Sequence, residues 1–222
     1  MSKLYIVPTP IGNLEDVTLR ALRILEDVDL ILAEDTRKTG ILLRRHKITK
    51  KTLSHHKFNE HRFVEKLSDR ILNGEVMALV SEAGTPGISD PGYLLIRECI
   101  RKQVEVECLP GPTAFIPALV ASGLPSDRFV FEGFLPQKKG RQKRLNELKE
   151  ETRTIILYEA PHRIRKCLHQ LMEFFGKDRP ACLARELTKI HEQFNRGTLE
   201  EILAMLGDSD PKGECIILVG GR

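Results

Sequence analysis

Apolar segments of strand length alternate with helical segments along almost the whole chain. The pattern opens with "KLYIVP", a helical segment over residues 18–28, and "DLILAE". Later strand candidates are "EVMALVS", "VEVECLP", "RFVFEGFL", "TRTIILYEA", "PACLARE" and "ECIILVG", and helix candidates cover residues 60–73, 93–102, 114–122, 142–151, 164–175 and 199–206. Thr198 and Glu201 have the spacing of a capping box at the start of the last helix. The alternation predicts an α/β fold with parallel strands.

A proline-rich segment near the middle of the chain predicts two domains. The stretch "LPGPTAFIPALVASGLPSDRF" places four prolines around one short helix, and new strands and basic loops follow it. Such composition is typical of a domain boundary. We therefore expect an N-terminal α/β domain over residues 1–115 and a C-terminal α/β domain over residues 116–222.

The distribution of charge is more informative than the formal net charge of +4. Residues 36–59 and residues 133–146 contain no acidic side chain. The basic residues of these two stretches are Arg37, Lys38, Arg44, Arg45, Lys47, Lys50, Lys51 and Lys57, then Lys138, Lys139, Arg141, Lys143 and Arg144. Either cluster alone is equally well explained as a solvated helix face, but two clusters in one chain favour a polyanionic partner such as RNA or DNA.

Composition predicts an ordinary globular protein of the cytoplasm. The chain is 41% hydrophobic and 30% charged, and no apolar run approaches the roughly 20 residues that cross a bilayer. The five cysteines form no C-x-x-C pair, which predicts reduced and mostly buried thiols rather than a zinc site.

Residues 81–93, "SEAGTPGISDPGY", carry more glycine and proline than a strand-to-helix connection needs. In open α/β sheets ligands bind at the carboxyl ends of strands, where this loop begins. Gly84 and Gly87 allow a ligand to approach the main chain, and Pro86 and Pro91 stiffen the path. A turn ending with Asp90 as helix N-cap explains "SDPG" but leaves "AGTPG" unexplained.

Other strand ends also carry functional candidates. The first strand runs into "VPTPIGNLEDVT", which contains no G-x-G-x-x-G and therefore argues against a dinucleotide site. "AEDTRKTG" follows the second strand, and either positions a hydroxyl nucleophile or simply caps a helix at Asp35 or Thr36. "YEAPHR" and "ARELTKIHE" place charged side chains at two strand ends of the second half.

Six segments in order, "VPTPIGNLEDVTLRAL", "AEDTR", "SEAGTPGISDPGY", "LPGPTA", "YEAPHR" and "ARELTKIHE", carry a family resemblance. The chain resembles the 16S rRNA (cytidine-2′-O)-methyltransferases of the tetrapyrrole methylase (class III) superfamily, from Leu4 to Gly221. The resemblance implies two α/β domains with a cofactor cleft between them, S-adenosylmethionine as methyl donor, a homodimer, and 16S rRNA of the 30S subunit as substrate. By motif, it assigns donor contacts to Pro10, Gly84, Thr85, Ile88, Thr113, Ala114, Tyr158, Glu159 and Leu187.

The sequence departs from that family's pattern in three places. The family usually has Asp at the position of Glu82 and a larger apolar residue at the position of Gly87. Longer members continue past the final "VGG", so we expect any RNA contact made by such a tail to be missing from this sequence.

Methyl transfer to a ribose 2′-hydroxyl requires alignment and removal of the hydroxyl proton. We expect Asp35, Glu159 or Glu186 to accept or orient that proton, and Arg37 and Lys189 to hold phosphate or developing charge. No metal is required. Two alternatives stay open: a class III methyltransferase acting on a tetrapyrrole or a protein side chain, and a non-catalytic RNA-binding assembly factor.

Overall fold

The structure, a computed structural model, describes residues 2–56 and 60–222. Residue contacts divide the chain into two compact units, Met1–Thr113 and Ala114–Arg222. Lys57 of the first basic stretch lies outside the described residues.

The first unit is a five-stranded parallel sheet with helices on both faces. Its elements in chain order are β1 (Lys3–Ile6), α1 (Leu19–Asp27), β2 (Leu30–Ala33), α2 (Thr36–Arg45), β3 (Thr52–Ser54), α3 (Glu60–Leu72), β4 (Val76–Val80), α4 (Tyr93–Arg101) and β5 (Glu105–Cys108), with a 3-10 turn at Leu14–Asp16. The strand order is β3-β2-β4-β1-β5, and every pair is parallel.

Alternate residues of the strands face two separate cores. Ile31, Ala33, Ala78 and Val80 pack with α1 and α2, whereas their neighbours along the same strands pack with α3 and α4. Strands buried on both faces become nearly continuous apolar runs, as "LILA" and "VMALV" show. From β1 the chain crosses to β2 on one side of the sheet, and from β4 it crosses to β5 on the other side. The adjacent strands β1 and β4 therefore flank the point where the strand order reverses.

Two local predictions for the first unit need correction. Strand β3 is missing from the predicted elements because it has only three residues, whereas α2 was predicted only as one alternative for "AEDTRKTG" and without an end, because "TRKTGILLRR" is mostly polar. Asp90 is not the N-cap of α4: the helix begins at Tyr93, and Gly92 is its N-cap.

The second unit also contains five strands, but its sheet is mixed. Its elements are α5 (Phe115–Ser122), β6 (Phe129–Phe134), α6 (Arg141–Leu148), β7 (Thr154–Glu159), α7 (Ile164–Phe175), β8 (Pro180–Arg185), β9 (Gln193–Thr198), α8 (Leu199–Leu206) and β10 (Cys215–Val219), with a 3-10 turn at Pro161–Arg163. The order is β6-β7-β10-β8-β9, and only β6 and β7 run parallel.

The prediction of parallel strands throughout is therefore wrong for this unit. Strand β9, "QFNRGT", is too polar to stand out in the sequence, and residues 186–192 are too short a connection for a parallel crossover from β8. Helices α6, α7 and α8 pack on one core with β7, β8 and β10, and the predicted capping box of Thr198 and Glu201 is confirmed.

All five cysteines are free thiols, and four of them are buried, which confirms the predicted burial; Cys108 is exposed. Within the part of the chain that the structure describes, no helix has both the length and the apolar character needed to cross a bilayer.

Candidate functional site

Three loops meet at the carboxyl edge of the first sheet. They are the β1 loop (residues 7–13), the β4 loop (residues 81–92) and the β5 loop (residues 109–113). The N–H of Thr9 donates to Gly84 O at 2.9 Å, and the N–H of Gly84 donates to Thr9 O at 2.8 Å. The hydroxyl of Thr85 donates to Pro112 O at 3.0 Å and lies 2.6 Å from the hydroxyl of Thr113. Main-chain and hydroxyl groups thus join the three loops into one surface.

Gly84 occupies a position where a side chain would change that surface. Its φ of +81° lies in the left-handed region, which other L-residues adopt only at a cost. A Cβ built there would lie 3.5 Å from Ile11 Cγ2 and 3.8 Å from Pro112 O, so a larger side chain would fill the space between these loops.

The structure brings most of the predicted donor contacts of the first unit together. Gly84, Thr85 and Thr113 belong to the bonded surface, Pro10 follows the bridging Thr9, and Ile88 is 38% exposed further along the β4 loop. Ala114 lies in the second unit, immediately before α5.

Asp35 and Arg37 bind each other at the start of α2. The Asp35 carboxylate accepts a hydrogen bond from the Arg37 N–H at 2.8 Å, which makes Asp35 the N-cap of α2. In addition, Arg37 Nη2 donates to Asp35 Oδ2 at 2.9 Å. The Arg37 guanidinium holds the pKa of Asp35 down at about 2. The helix-cap alternative raised for "AEDTR" is thus the observed structure, and a carboxylate with so low a pKa is a weak base.

Three carboxyl groups that follow β2 and β4 form an acidic cluster: Glu34, Glu82 and Asp90. Glu34 Oε2 accepts the N–H of Glu82 at 3.3 Å, and Lys38 bonds to the Glu82 carboxylate. Burial is the main reason why the pKa of Asp90 is raised to about 7, and the nearby carboxylates of Glu34 and Glu82 raise it further. A hydrogen bond from Ser81 partly opposes this by lowering the pKa. Burial likewise raises the pKa of Glu34. Sequence reasoning did not consider Asp90 as a candidate site residue because it treated the residue as a helix cap.

Glu159 of the second unit is a buried, paired carboxylate at the end of β7. It is 4% exposed; Arg141 Nη2 donates to its Oε2 at 3.2 Å, and Arg163 Nε lies 2.9 Å from its Oε1. The N–H of Ala160 donates to Oε1 at 2.9 Å. These partners occupy the oxygens that a proton acceptor would need.

Glu186 and Lys189 form another local network in the connection between β8 and β9. Lys189 Nζ donates to Glu186 Oε1 at 2.8 Å and to Glu214 Oε2 at 3.0 Å, and Glu186 Oε1 also accepts the N–H of Glu214 at 2.8 Å. The bond from Lys189 lowers the pKa of Glu186. Glu186 and Thr188 have φ values of +52° and +64°, and Leu187 between them is buried. The network supports an unusual turn.

Tyr158 sits among phenylalanines because β6 contains a bulge. The register between β6 and β7 shifts between Phe131 and Gly133, so that Phe131 and Phe134 both lie on the face of Tyr158. The two rings meet the Tyr158 ring edge-on, with centroids 5.1 and 5.6 Å away. Tyr158 therefore has one side packed by fixed aromatic neighbours.

Neither basic stretch gathers all of its charged side chains into one solvent-exposed surface. Helix α2 runs from the carboxyl to the amino edge of the first sheet, so Arg37 and Lys38 lie at the opposite edge from Lys50 and Lys51, which precede β3. In the second stretch, Arg141 binds Glu159, and Arg144 binds Glu132 and Glu147. The exposed basic residues of the second stretch are Lys138, Lys139 and Lys143.

Among residues 2–56 and 60–222, no group of three or more His, Cys, Asp or Glu side chains is arranged to hold a metal ion.

Comparison with known proteins places these loops in a family. The model for tetrapyrrole (corrin/porphyrin) methylases matches residues 3–203. The chain is 52% identical to ribosomal RNA small subunit methyltransferase I of Synechocystis sp. over 99% of its length and 80% of the relative's. Identity to the protein of the same name from Thermotoga maritima is 45%, with both chains fully covered.

Solved structures with little sequence similarity share the fold. Diphthine synthase gives a TM-score of 0.76 at 15% identity, covering all of this chain and 90% of that one. Uroporphyrin-III-C-methyltransferase from Thermus thermophilus gives 0.67 at 23% identity, covering 99% and 94%. With its loops, sheets and relatives in agreement, the chain belongs to the ribosomal RNA small subunit methyltransferase I family, within the tetrapyrrole methylases.

Proposed function

We propose that the protein uses S-adenosylmethionine to methylate the 2′-oxygen of a cytidine ribose in the 16S rRNA of the small ribosomal subunit. The observation that carries this proposal is full-length similarity, at 45–52% identity, to proteins named for methylation of that rRNA. The three bonded loops of the first unit supply a surface on which the donor can bind.

The residues present fit the donor. Gly84 leaves its main chain open, and the hydroxyls of Thr85 and Thr113 lie beside it as hydrogen-bonding groups. We assign the first-unit contacts to Pro10, Gly84, Thr85, Ile88 and Thr113. When bound, S-adenosylmethionine supplies an electrophilic methyl group. The second-unit contacts, Ala114, Tyr158, Glu159 and Leu187, rest on the family resemblance, and Glu159 can contribute only main-chain groups because its carboxylate is paired.

We assign proton transfer to Asp90 rather than to Asp35, Glu159 or Glu186. Each of those three carboxylates is held by a cation, whereas burial keeps the pKa of Asp90 at about 7, close to the pH at which a general base works best. Its carboxylate would accept the proton of the attacking hydroxyl. Arg37 and Lys189 are bound to carboxylates too, which favours structural roles for both.

For RNA binding we propose two sets of exposed or half-buried basic residues. Lys138, Lys139 and Lys143 offer positive charge in the second unit, and Arg44, Arg45, Lys47, Lys50 and Lys51 do so at the amino edge of the first sheet. A homodimer in the cytoplasm is the assembly and location that the family resemblance favours, and sedimentation of the purified protein tests the assembly.

The decisive experiment supplies labelled S-adenosylmethionine with either bare 16S rRNA or assembled 30S subunits and maps the modified nucleotide. We expect one labelled cytidine, resistant to alkaline cleavage at its ribose. Label on a ribosomal protein instead, or on a tetrapyrrole supplied as a separate acceptor, would support the first alternative function. Failure to bind the donor in calorimetry would support an assembly factor and overturn the proposal.

A further inference from the structure

The carboxylate of Glu60, at the start of α3, caps the start of a different helix, α4. Its Oε1 accepts the N–H of Gly92 and the N–H of Leu94, each at 3.0 Å. Glu60 is only 7% exposed, so these bonds form away from solvent. In a capping box, two side chains of the helix itself accept hydrogen bonds from N–H groups of its first turn. Here a single side chain, 32 residues before Gly92 in the chain, accepts both bonds.

Gly92 explains why α4 needs a cap from elsewhere. Its φ is +132°, and a Cβ there would lie 2.7 Å from Leu79 Cδ2, so the N-cap position disfavours Ser, Thr, Asp and Asn. The first N–H groups of a helix have no partner within the helix, and their partial positive charge favours an anion. Glu60 supplies both the acceptor and the charge.

Glu60 is itself held in place by the segment that follows β3. Its N–H donates to His56 O at 2.9 Å, and the N–H of His55 donates to Ala33 O at 2.9 Å at the end of β2. The His55 ring is fully buried with Nε2 4.0 Å from Glu60 Oε1. Burial lowers the pKa of His55, which keeps the ring neutral near pH 7 and leaves the α4 N–H groups to bind the Glu60 charge.

The β4 loop thus has two independent anchors. Thr9 and Thr113 hold the end that contains Gly84 and Thr85, whereas Glu60 holds Gly92 at the other end. Asp90 is separated from Gly92 only by Pro91, whose ring fixes one backbone dihedral. A shift of Gly92 therefore moves Asp90 much more directly than it moves Gly84.

We propose that Glu60 is a positioning residue, which holds Asp90 in place for proton transfer through Gly92 and contributes little to donor binding. The inference rests on the proposed function, and specifically on Asp90 as proton acceptor. The groups that face Asp90 are Ser81, Glu34 and Glu82, with Lys38 bound to Glu82.

Single-turnover methylation of 30S subunits, measured across pH 5–9 at saturating donor, tests the proposal together with calorimetric binding of S-adenosylmethionine. Because a displacement of about 1 Å can cost 10²-fold in rate, we expect Glu60→Ala to slow methylation roughly 10- to 100-fold. The donor Kd should change less than about threefold, since the Gly84 anchor is intact. The inflection of the pH profile should move to lower pH, because a displaced Asp90 is less buried and lies further from its acidic neighbours.

Conservative variants separate positioning from simple loss of fold. Glu60→Gln keeps the reach and one acceptor oxygen, so it should retain most of the rate, whereas Glu60→Asp keeps the charge but is too short and should resemble Glu60→Ala. Glu98→Gln makes the same chemical change on α4 at a side chain bound to Arg101 and should leave rate and profile unchanged.

The outcomes distinguish the positioning role of Glu60 from the proton-acceptor role of Asp90. An unchanged rate and pH profile in Glu60→Ala, with Asp90→Asn inactive, would overturn the positioning role alone. Full activity of Asp90→Asn would overturn the proton-acceptor role on which it rests. A donor Kd raised as much as the rate is lowered would also count against Glu60 as a positioning residue for Asp90.

Discussion

Gly84 and Gly123 share a backbone conformation but not an environment. Their φ values are +81° and +80°. A Cβ at Gly123, which ends α5, meets no atom within 4 Å, whereas a Cβ at Gly84 enters the space between the β1, β4 and β5 loops. Side chains at the two positions should therefore cost similar backbone strain and differ in what they obstruct.

We expect Gly84→Val to abolish detectable S-adenosylmethionine binding, and Gly123→Val to bind the donor like the unmodified protein. Both variants should lose roughly 1–2 kcal/mol in free energy of unfolding, because both force an L-residue into the left-handed region. Isothermal titration calorimetry and urea unfolding measure the two quantities. Donor binding retained in Gly84→Val would reduce the β4 loop to an elaborate turn.

Residue-level reasoning from sequence singled out Gly84 as a candidate donor contact but did not single out Glu60 or Asp90 as candidate site residues. Glycine and proline in a strand-to-helix loop are a local signal, and parallel strands bring their carboxyl ends to one edge whatever the loops contain. The hydrogen bond from the Gly92 N–H to the Glu60 carboxylate spans 32 residues and has no local signature in the sequence. The pKa of Asp90 depends on burial and on Glu34, which only the folded sheet brings near.

Among the elements, α6 separates basic residues that stabilise the fold from basic residues that face solvent. Arg141 is buried, with Nε donating to Gln170 Oε1 at 2.8 Å in addition to its bond with Glu159. Lys143, two residues further on, is exposed. A sequence cluster of like charge therefore contains two different kinds of residue.

We expect Arg141→Ala to lower the free energy of unfolding by about 3 kcal/mol, since it leaves the buried Glu159 with fewer partners. Lys143→Ala should stay within about 0.5 kcal/mol of the unmodified protein. It should instead reduce the slope of log affinity for rRNA against log salt by about 0.7, the value for one phosphate contact on single strands. Equal salt slopes for Lys143→Ala and the unmodified protein would remove Lys143 from the RNA surface.

Element prediction succeeded where apolar runs are long and failed where polar strands depend on neighbours. In the first unit, apolar runs mark β1, β2 and β4, and β5 alternates apolar residues with Glu, whereas the exposed β3 has no such signal. In the second unit, β9 is polar because it pairs only with β8 at the edge of the sheet. Without β9 in the pattern, the antiparallel pairing of β8 and its neighbours could not be foreseen.

For the molecule as a whole, Asp90 makes stability depend on pH in an unusual direction. Its pKa is about 7 in the folded protein against an ordinary 3.8, so the folded state binds the proton more tightly than the unfolded state does. The contribution to stability is fully present below pH 4 and is lost as pH rises towards 7. The raised pKa of Glu34 acts in the same direction.

Asp90→Asn should therefore be more stable than the unmodified protein at pH 8, with the difference vanishing near pH 4. A shift of this size corresponds to roughly 4 kcal/mol for a fully buried group, and partial exposure of Asp90 reduces the expected gain to about 1–2 kcal/mol. Urea unfolding at pH 4.5, 6 and 8, followed by circular dichroism, gives the comparison. A pH-independent difference would mean that Asp90 titrates normally.

The place of β10 in the second sheet has a consequence for how the protein is made. This strand lies between β7 and β8, yet it follows them in the chain, and β6–β7 and β8–β9 share no direct strand pairing without it. During synthesis the first sheet has all its strands once residue 108 has emerged, whereas the second remains two separate strand pairs until residues 215–219 appear. Until β10 emerges, the edges of β7 and β8 with which it pairs stay open in the nascent chain, and open strand edges are prone to pair with other chains.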